Sequence, residues 1–441
     1  MHFKDYISSM QILNYIYFVI LTFLLFYYVQ QKRVITTHPL DKSQKLIFNG
    51  TGMFWVLLFS TGLLAFSAPM GLDLMSVRLF SLEILCLICL RITKNRCIWS
   101  FPLSIYVLFL LWLIIGLFYT TSISYGIRVI LKYFYPIIVT LTASTVVRNE
   151  TIFLKSSLGA RKVAIVCLVV SFVPYIGLLF PGVFWCCTAR AINFISISIL
   201  SLALFFYAGR NIKDLMWCVI FMLPCVIWVL RTSIMGNLVA LSVFSIFRYK
   251  IRALPILALI GAIGIGAVFF IPSVREKMFN SDDVTMADFR EGRVSMGDVN
   301  SNARFAMWEF FENQFYKGHE LQGSGTGVTQ EYFYTHFIFG GLTAMHSDIV
   351  QMKCDNGLIA LFLYYVTILL MIGHAFIVYC RSKRRLIKLC SITAGATLAG
   401  VAATMYSDNV VNYSMCTLAY PFGFYGIMLG LLKGVRREKH D

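Results

Sequence analysis

The chain has 441 residues, of which 59% are hydrophobic and only 13% charged, and its formal net charge is +17. Soluble domains carry roughly 25% charged residues, so a chain with a mean hydropathy of +0.75 cannot expose most of itself to water. The positive charge does not point to nucleic acid: lysines and arginines stand in short runs between apolar stretches, where membrane proteins carry orientation signals, and not on one soluble face. Alternating ~10-residue segments of a membrane barrel are absent. The expected fold is all-α, a polytopic transmembrane helical bundle.

In chain order, the first apolar run, 11–29, is too long for the core of a signal peptide and lacks a small-residue cleavage site, so it reads as a span. Twelve more candidate spans follow, near 46–66, 76–92, 98–119, 122–147, 163–182, 191–209, 214–230, 232–247, 253–272, 356–380, 389–407 and 411–432, each of a length suited to ~30 Å of hydrocarbon. Most of the 38 basic residues fall in alternate connections, around 32–45, 91–96, 148–162, 210–213, 248–252 and 381–388, and in the tail from Lys433. By the positive-inside rule these are cytoplasmic. The short connections of the other set hold only Arg190, and the long segment 274–355 then faces outward. Three units follow: residues 1–273 with ten spans, the outward segment 274–355, and residues 356–441 with the last spans and a basic tail.

Cations inside apolar spans are costly and normally face a polar cavity or an anion. Arg128 and Lys132, at i and i+4 on one helix face, have no acidic residue in their own span. Arg231 interrupts an apolar run, and Arg78 and Arg190 also fall toward the outer side. Arg190 and Arg231 can equally be read as span-end residues that snorkel to water, and Arg78 as a partner of Asp73 or Glu83. Taken together, the cations point to an outward-opening pocket for an anion.

The segment 274–355 has twelve acidic residues against seven basic ones and thirteen aromatics, which argues for structure. Ser301-Asn302 predicts an N-cap for a helix to about Tyr316, with Gly318 as the stop and Arg304, Trp308, Phe311 and Phe315 on one face. Of its histidines, His336 lies in an aromatic run and reads as packing, and His319 reads as solvated. His346 is tethered near the next span, where a neutral imidazole can take a proton from a hydroxyl. The twelve cysteines form no framework, and no Cys/His spacing suggests a metal; no cofactor is expected.

Ala303-Arg304-Phe305-Ala306-Met307-Trp308, then Gly323-Ser324-Gly325-Thr326-Gly327, then His346-Ser347-Asp348 leading into Asp355-Asn356-Gly357-Leu358 resemble the outer-loop signature of the O-antigen polymerase and O-antigen ligase superfamily. Leu230-Arg231-Thr232-Ser233 resembles its Ser-Arg motif, with Leu230 where serine is usual, and Arg190 resembles another recurring arginine. The likeness spans about 185–365. It implies a multi-span, lipid-phosphate-dependent glycosyltransferase fold, an undecaprenyl-diphosphate-linked glycan as donor, and no metal. Arg231 and Arg304 would bind the diphosphate, with Arg190, Arg128 and Lys132 as further cations of the pocket, and His346 would be the base. The expected activity is polymerase-type transfer to an acceptor hydroxyl on the periplasmic side of the bacterial inner membrane. The alternatives are a ligase that moves the glycan to lipid A core or protein, a cell-wall polymerase using Asp348, and, from another class, a lipid-linked oligosaccharide flippase, although no internal repeat is seen. Expected partners are the lipid-linked oligosaccharide, the acceptor glycan or lipid, membrane lipids and other polysaccharide-assembly membrane proteins.

Overall fold

A computed structural model describes residues 19–28, 30–39, 43–61, 72–93, 95–172, 187–280, 288, 291, 300, 304–336 and 344–437. After α1 (Val19–Tyr28) comes a short antiparallel ribbon of β1 (Val34–Thr37) and β2 (Lys45–Phe48), in which Ile35 faces Ile47. The helices that follow are α2 (Gly50–Thr61), α3 (Leu72–Ile92), α4 (Phe101–Ile115), α5 (Ile123–Val146), α6 (Glu150–Phe172), α7 (Cys187–Tyr207), α8 (Ile212–Ile227), α9 (Arg231–Tyr249), α10 (Leu254–Phe270) and the short α11 (Pro272–Met278). Next are α12 (Arg304–Phe311), α13 (Val328–His336), α14 (Asp348–Arg381), α15 (Arg385–Thr404), the one-turn α16 (Ser414–Thr417) and α17 (Ala419–Arg437).

The chain is an α-helical bundle. Among the described residues, five helical runs are long and apolar enough to cross a membrane: Phe101–Phe118, Ile123–Val146, Arg231–Gly266, Asp348–Arg381 and Arg385–Thr404. The bent pair Val411–Thr417 and Ala419–Gly434, which turns by 50°, makes a sixth. Each expected span from 46–66 onward coincides with a helix, though the ends differ.

Glycines set the closest contacts. A Cβ on Gly236 of α9 would lie 2.5 Å from Thr404 of α15, and one on Gly400 of α15 would lie 2.7 Å from the Ala240 Cβ. On α17, Gly426, Gly430 and Gly434 press on the carbonyls of Thr140, Val147 and Arg148. Without a hydrophobic drive between helices in lipid, such small residues let backbones approach and gain dispersion contact.

Two expectations need correction. The basic stretch 148–162 is not a connection. Asn149 Oδ1 accepts the Ile152 N–H at 2.8 Å and starts α6 at Glu150. Ser156, Ser157 and Ala160 are buried where α6 packs on α2, and Arg161 is paired with Asp214, so a helix carries these cations on its outer side. Residues 32–48 are likewise not an open connection: Val34 and Thr36 alternate with Ile35 and Thr37 in exposure, and so do their partners on β2. The last residues of the outward segment are helical: α14 begins at Asp348 under the Ser347 cap and breaks at Gly357.

The run 231–266 folds back on itself at Lys250, which has φ +55. Lys277, just past α10, accepts from Arg231 at the start of α9 through its carbonyl at 2.6 Å. A straight helix would hold those two residues about 69 Å apart. The bundle therefore has two chemically distinct ends. At one, Arg148 bonds the Arg96 carbonyl, Arg384 meets Glu150 at 3.9 Å and Arg248 bonds Tyr207. At the other, some 26 Å along α9, lies Arg231.

Candidate functional site

The chain between α15 and α17, residues 405–413, organises this second end. Arg304 is the first residue of α12, and its Nη1 donates to the Ser407 carbonyl at 2.7 Å. Arg231 Nη1 donates to the carbonyls of Lys277 and Asn300, both at 2.6 Å. Its neighbour Thr232 shares a hydrogen bond of 3.0 Å with the Ser407 hydroxyl. The two guanidiniums flank one turn and lie within Coulombic range of each other. Among the described residues these bonds use only Nη1 of each. Burial lowers the Arg304 pKa from its ordinary value, and the charge of Asp408 offsets part of that.

His346 completes this group. Its Nδ1 stands 3.9 Å from Asp408 Oδ1, with side-chain exposures of 32% and 10%. The backbone on either side is held. Trp308 Nε1 donates to the Met345 carbonyl at 2.8 Å, Ser347 Oγ accepts the Val350 N–H, and the Asp348 N–H donates to the carbonyls of Met405 and Asp408. Between these anchors His346 adopts φ +50, a left-handed conformation that a non-glycine residue keeps only where its surroundings impose it. Asp348, 2% exposed, also accepts the Val411 N–H at 3.1 Å and so staples the turn from a second side.

Lys132 lies on the far side of the same turn. Its ammonium donates to Asn412 Oδ1 at 2.7 Å and Gln330 Oε1 at 3.4 Å, and it is within Coulombic reach of Asp348 and Asp355. Arg128, one turn away, sits over the Tyr125 ring at 5.0 Å. The cations expected in one pocket are therefore divided by the 405–413 turn, with Arg231 and Arg304 on one side and Lys132 with Arg128 on the other. Arg190 lies in the first turn of α7, and its side chain, like that of Arg78, falls outside the described residues, as do Ser301 and Asn302.

The expected helix face recurs with a different ending. α12 widens after Phe311 into a π turn, Glu312–Tyr316. Met307, Trp308 and Phe311 are buried with Phe333, Met345, Val350 and Cys354 in a small aromatic core, with Phe311 stacked on Phe333 at 4.5 Å. Lys353 ties this cap to α14 through Glu312 at 2.8 Å. His336 stacks on Tyr332 at 4.0 Å, a packing role.

The glycine-rich turn is a latch between backbones and not a cradle for phosphate. Its N–H groups at Ser324, Gly325 and Thr326 donate to the carbonyls of Cys354, Asp355 and Gly116. α14 breaks at Gly357, with φ +71 and ψ −172. Asp355 beside the break accepts the N–H groups of Gly327 and Thr329 and caps α13.

Sequence reasoning missed Ser407, Asp408, Asn412 and Gln330. Asp408 fell in a short outer connection, Ser407 and Asn412 at the ends of the spans on either side of it, and Gln330 in the long outward segment, so no single pattern marked them. Among the described residues no group of three or more His, Cys, Asp or Glu side chains could hold a metal ion. No protein-family model and no curated protein matches this chain.

Proposed function

We propose that this protein is a membrane glycosyltransferase of the polymerase type, which transfers a saccharide from an undecaprenyl-diphosphate-linked donor to an acceptor hydroxyl. The reading places a bundle of twelve or thirteen spans in a bacterial inner membrane with this site toward the periplasm. One observation carries it: Arg231, Arg304, His346 and Asp408, drawn from four separate parts of the chain, gather about the turn 405–408, where Arg304 bonds Ser407, Thr232 beside Arg231 shares a hydrogen bond with Ser407, and His346 faces Asp408. Their chemistry matches the reaction. His346 takes the proton of the acceptor hydroxyl, the oxygen attacks the anomeric carbon, and the bond from that carbon to the diphosphate breaks. The diphosphate leaves with a growing charge, which guanidiniums suit because their planar fork donates bidentately to phosphate. Asp408 orients the imidazole and stabilises the cation that it becomes. Fixed charges of this kind act without reorganisation at the moment of reaction.

The test is deletion of the gene followed by electrophoresis of the surface polysaccharide. Chains capped by a single repeat support the polymerase reading. Accumulated lipid-linked polymer with no capped product indicates a ligase, and loss of all export a flippase; either overturns it.

A further inference from the structure

A narrow cleft between α5, α14 and the 411–413 turn is lined by Lys132, Tyr133, Gln351, Asp355, Asn356 and Asn412. It differs from the Arg231–Arg304 side in its charge. Of its lining side chains only Lys132 and Asp355 carry charge, one of each sign, so a diphosphate entering it would meet as much repulsion as attraction. Across the turn, the described residues set two guanidiniums against the single carboxylate Asp408.

What the cleft offers in place of net charge is paired donors and acceptors. Lys132, 9% exposed, has three N–H groups and bonds two neutral amides, Asn412 and Gln330. Each amide carries both a donor and an acceptor, as a sugar hydroxyl does. Gln351 bonds Asp355, and Gln330 also bonds Tyr334. Ser407 and Asn412 are five residues apart, a reach of at most about 17 Å. The cleft is thus within about three sugar units of the guanidinium pair.

We propose that the cleft at Lys132 is a saccharide subsite, which holds a single hydroxyl of a neutral sugar unit on the glycan chain. Lys132 and Asn412 read the sugar, and Arg231 and Arg304 hold the diphosphate. This assignment rests on the glycosyltransferase reading and refines it, because it removes Lys132 from the expected set of diphosphate ligands.

The experiment compares two probes on the full-length protein in nanodiscs: undecaprenyl diphosphate without sugar, and the lipid-linked repeat extracted from the cells that carry this gene. Lys132→Met and Asn412→Ala should each weaken binding of the glycan-bearing probe at least tenfold and leave the bare probe unchanged. Equal losses on both probes would make Lys132 a diphosphate ligand, and no loss on either would make the contacts a mere latch; both results overturn the subsite. Should Lys132→Met fail to insert, Asn412→Ala decides alone. Arg231→Ala separates the parent reading: it should weaken the bare probe, and if it does not, the diphosphate assignment fails whatever the subsite variants show. Absence of binding of either probe by the unaltered protein overturns both.

Discussion

Gly357→Ala tests whether the break in α14 shapes the site. Gly357 holds φ +71 and ψ −172, a region open essentially to glycine alone, where another residue costs about 1–3 kcal/mol. A Cβ there would also stand 2.2 Å from the Leu321 carbonyl oxygen. That carbonyl cannot retreat freely, because Leu358 and Ile359 donate to the carbonyls of Glu320 and Leu321 at 2.9 and 3.3 Å. Strain and overlap together put the cost at about 3 kcal/mol or more, among the larger single-substitution effects. The chain can escape by continuing the helix through position 357. Doing so rotates residues 348–355 and pulls Asp348 from the 405–413 turn and Asp355 from the start of α13. The expected outcome is a melting temperature several degrees lower in detergent and loss of polymer product, with the protein still inserted and detected. A variant with wild-type melting and wild-type product would refute the claim that this break positions the site.

His346→Ala should lower transfer by roughly 10²–10⁴-fold, the usual contribution of a general base, with insertion unchanged; normal product would remove the base assignment. Arg304→Lys keeps the charge and should still fail by about tenfold or more, since an ammonium cannot donate bidentately, and full activity would leave Arg304 as a surface anchor. Trp308→Phe removes the bond to the Met345 carbonyl and should cost about 1 kcal/mol of local stability. It should also reduce transfer without affecting binding of undecaprenyl diphosphate; a loss of both in step would mean a general collapse of the aromatic core.

The parts of this architecture visible in the sequence were those that break a local rule. An arginine that splits an apolar run at 231, or a histidine a few residues before a span, is conspicuous because lipid penalises polar groups wherever they lie. The partners of these residues were hidden for the opposite reason. Asp408 and Asn412 are ordinary in a connection, and only the folding of α15 against α17 turns them toward His346 and Lys132. Lys132 looked unpaired because its counter-charges, Asp348 and Asp355, come from a helix more than 200 positions away. The division of the cations by the 405–413 turn could not be read from residue type at all. The ribbon at 34–48 was hidden: in the fold Val34, Thr36, Leu46 and Phe48 alternate with exposed neighbours in the period of a strand, but Val34-Ile35 and Leu46-Ile47-Phe48 do not alternate in residue type. The basic charge around it had marked the stretch as a connection.

Asp408→Asn separates a catalytic geometry from a merely structural one, because the carboxylate faces His346 and Arg304 with opposite consequences. Toward His346 it is an attraction that grows when the imidazole takes the acceptor's proton. At 3.9 Å, the interaction lies between about 1 kcal/mol in water and about 4 kcal/mol at an effective dielectric constant of 20. The one-third exposure of the imidazole favours the lower half of that range, a fall in turnover of about five- to seventyfold. Toward the donor the same carboxylate is a repulsion, since it sits beside Arg304 where the diphosphate would be held. The asparagine variant should therefore bind bare undecaprenyl diphosphate as tightly as the unaltered protein or more tightly, while it transfers sugar more slowly. Asp408 Oδ1 also accepts the Asn409 N–H, and the asparagine carbonyl can keep that bond, so the turn is not dismantled. A residue that only shaped the turn would lose affinity and turnover together. If both fall in parallel, His346 and Arg304 are neighbours without a shared task.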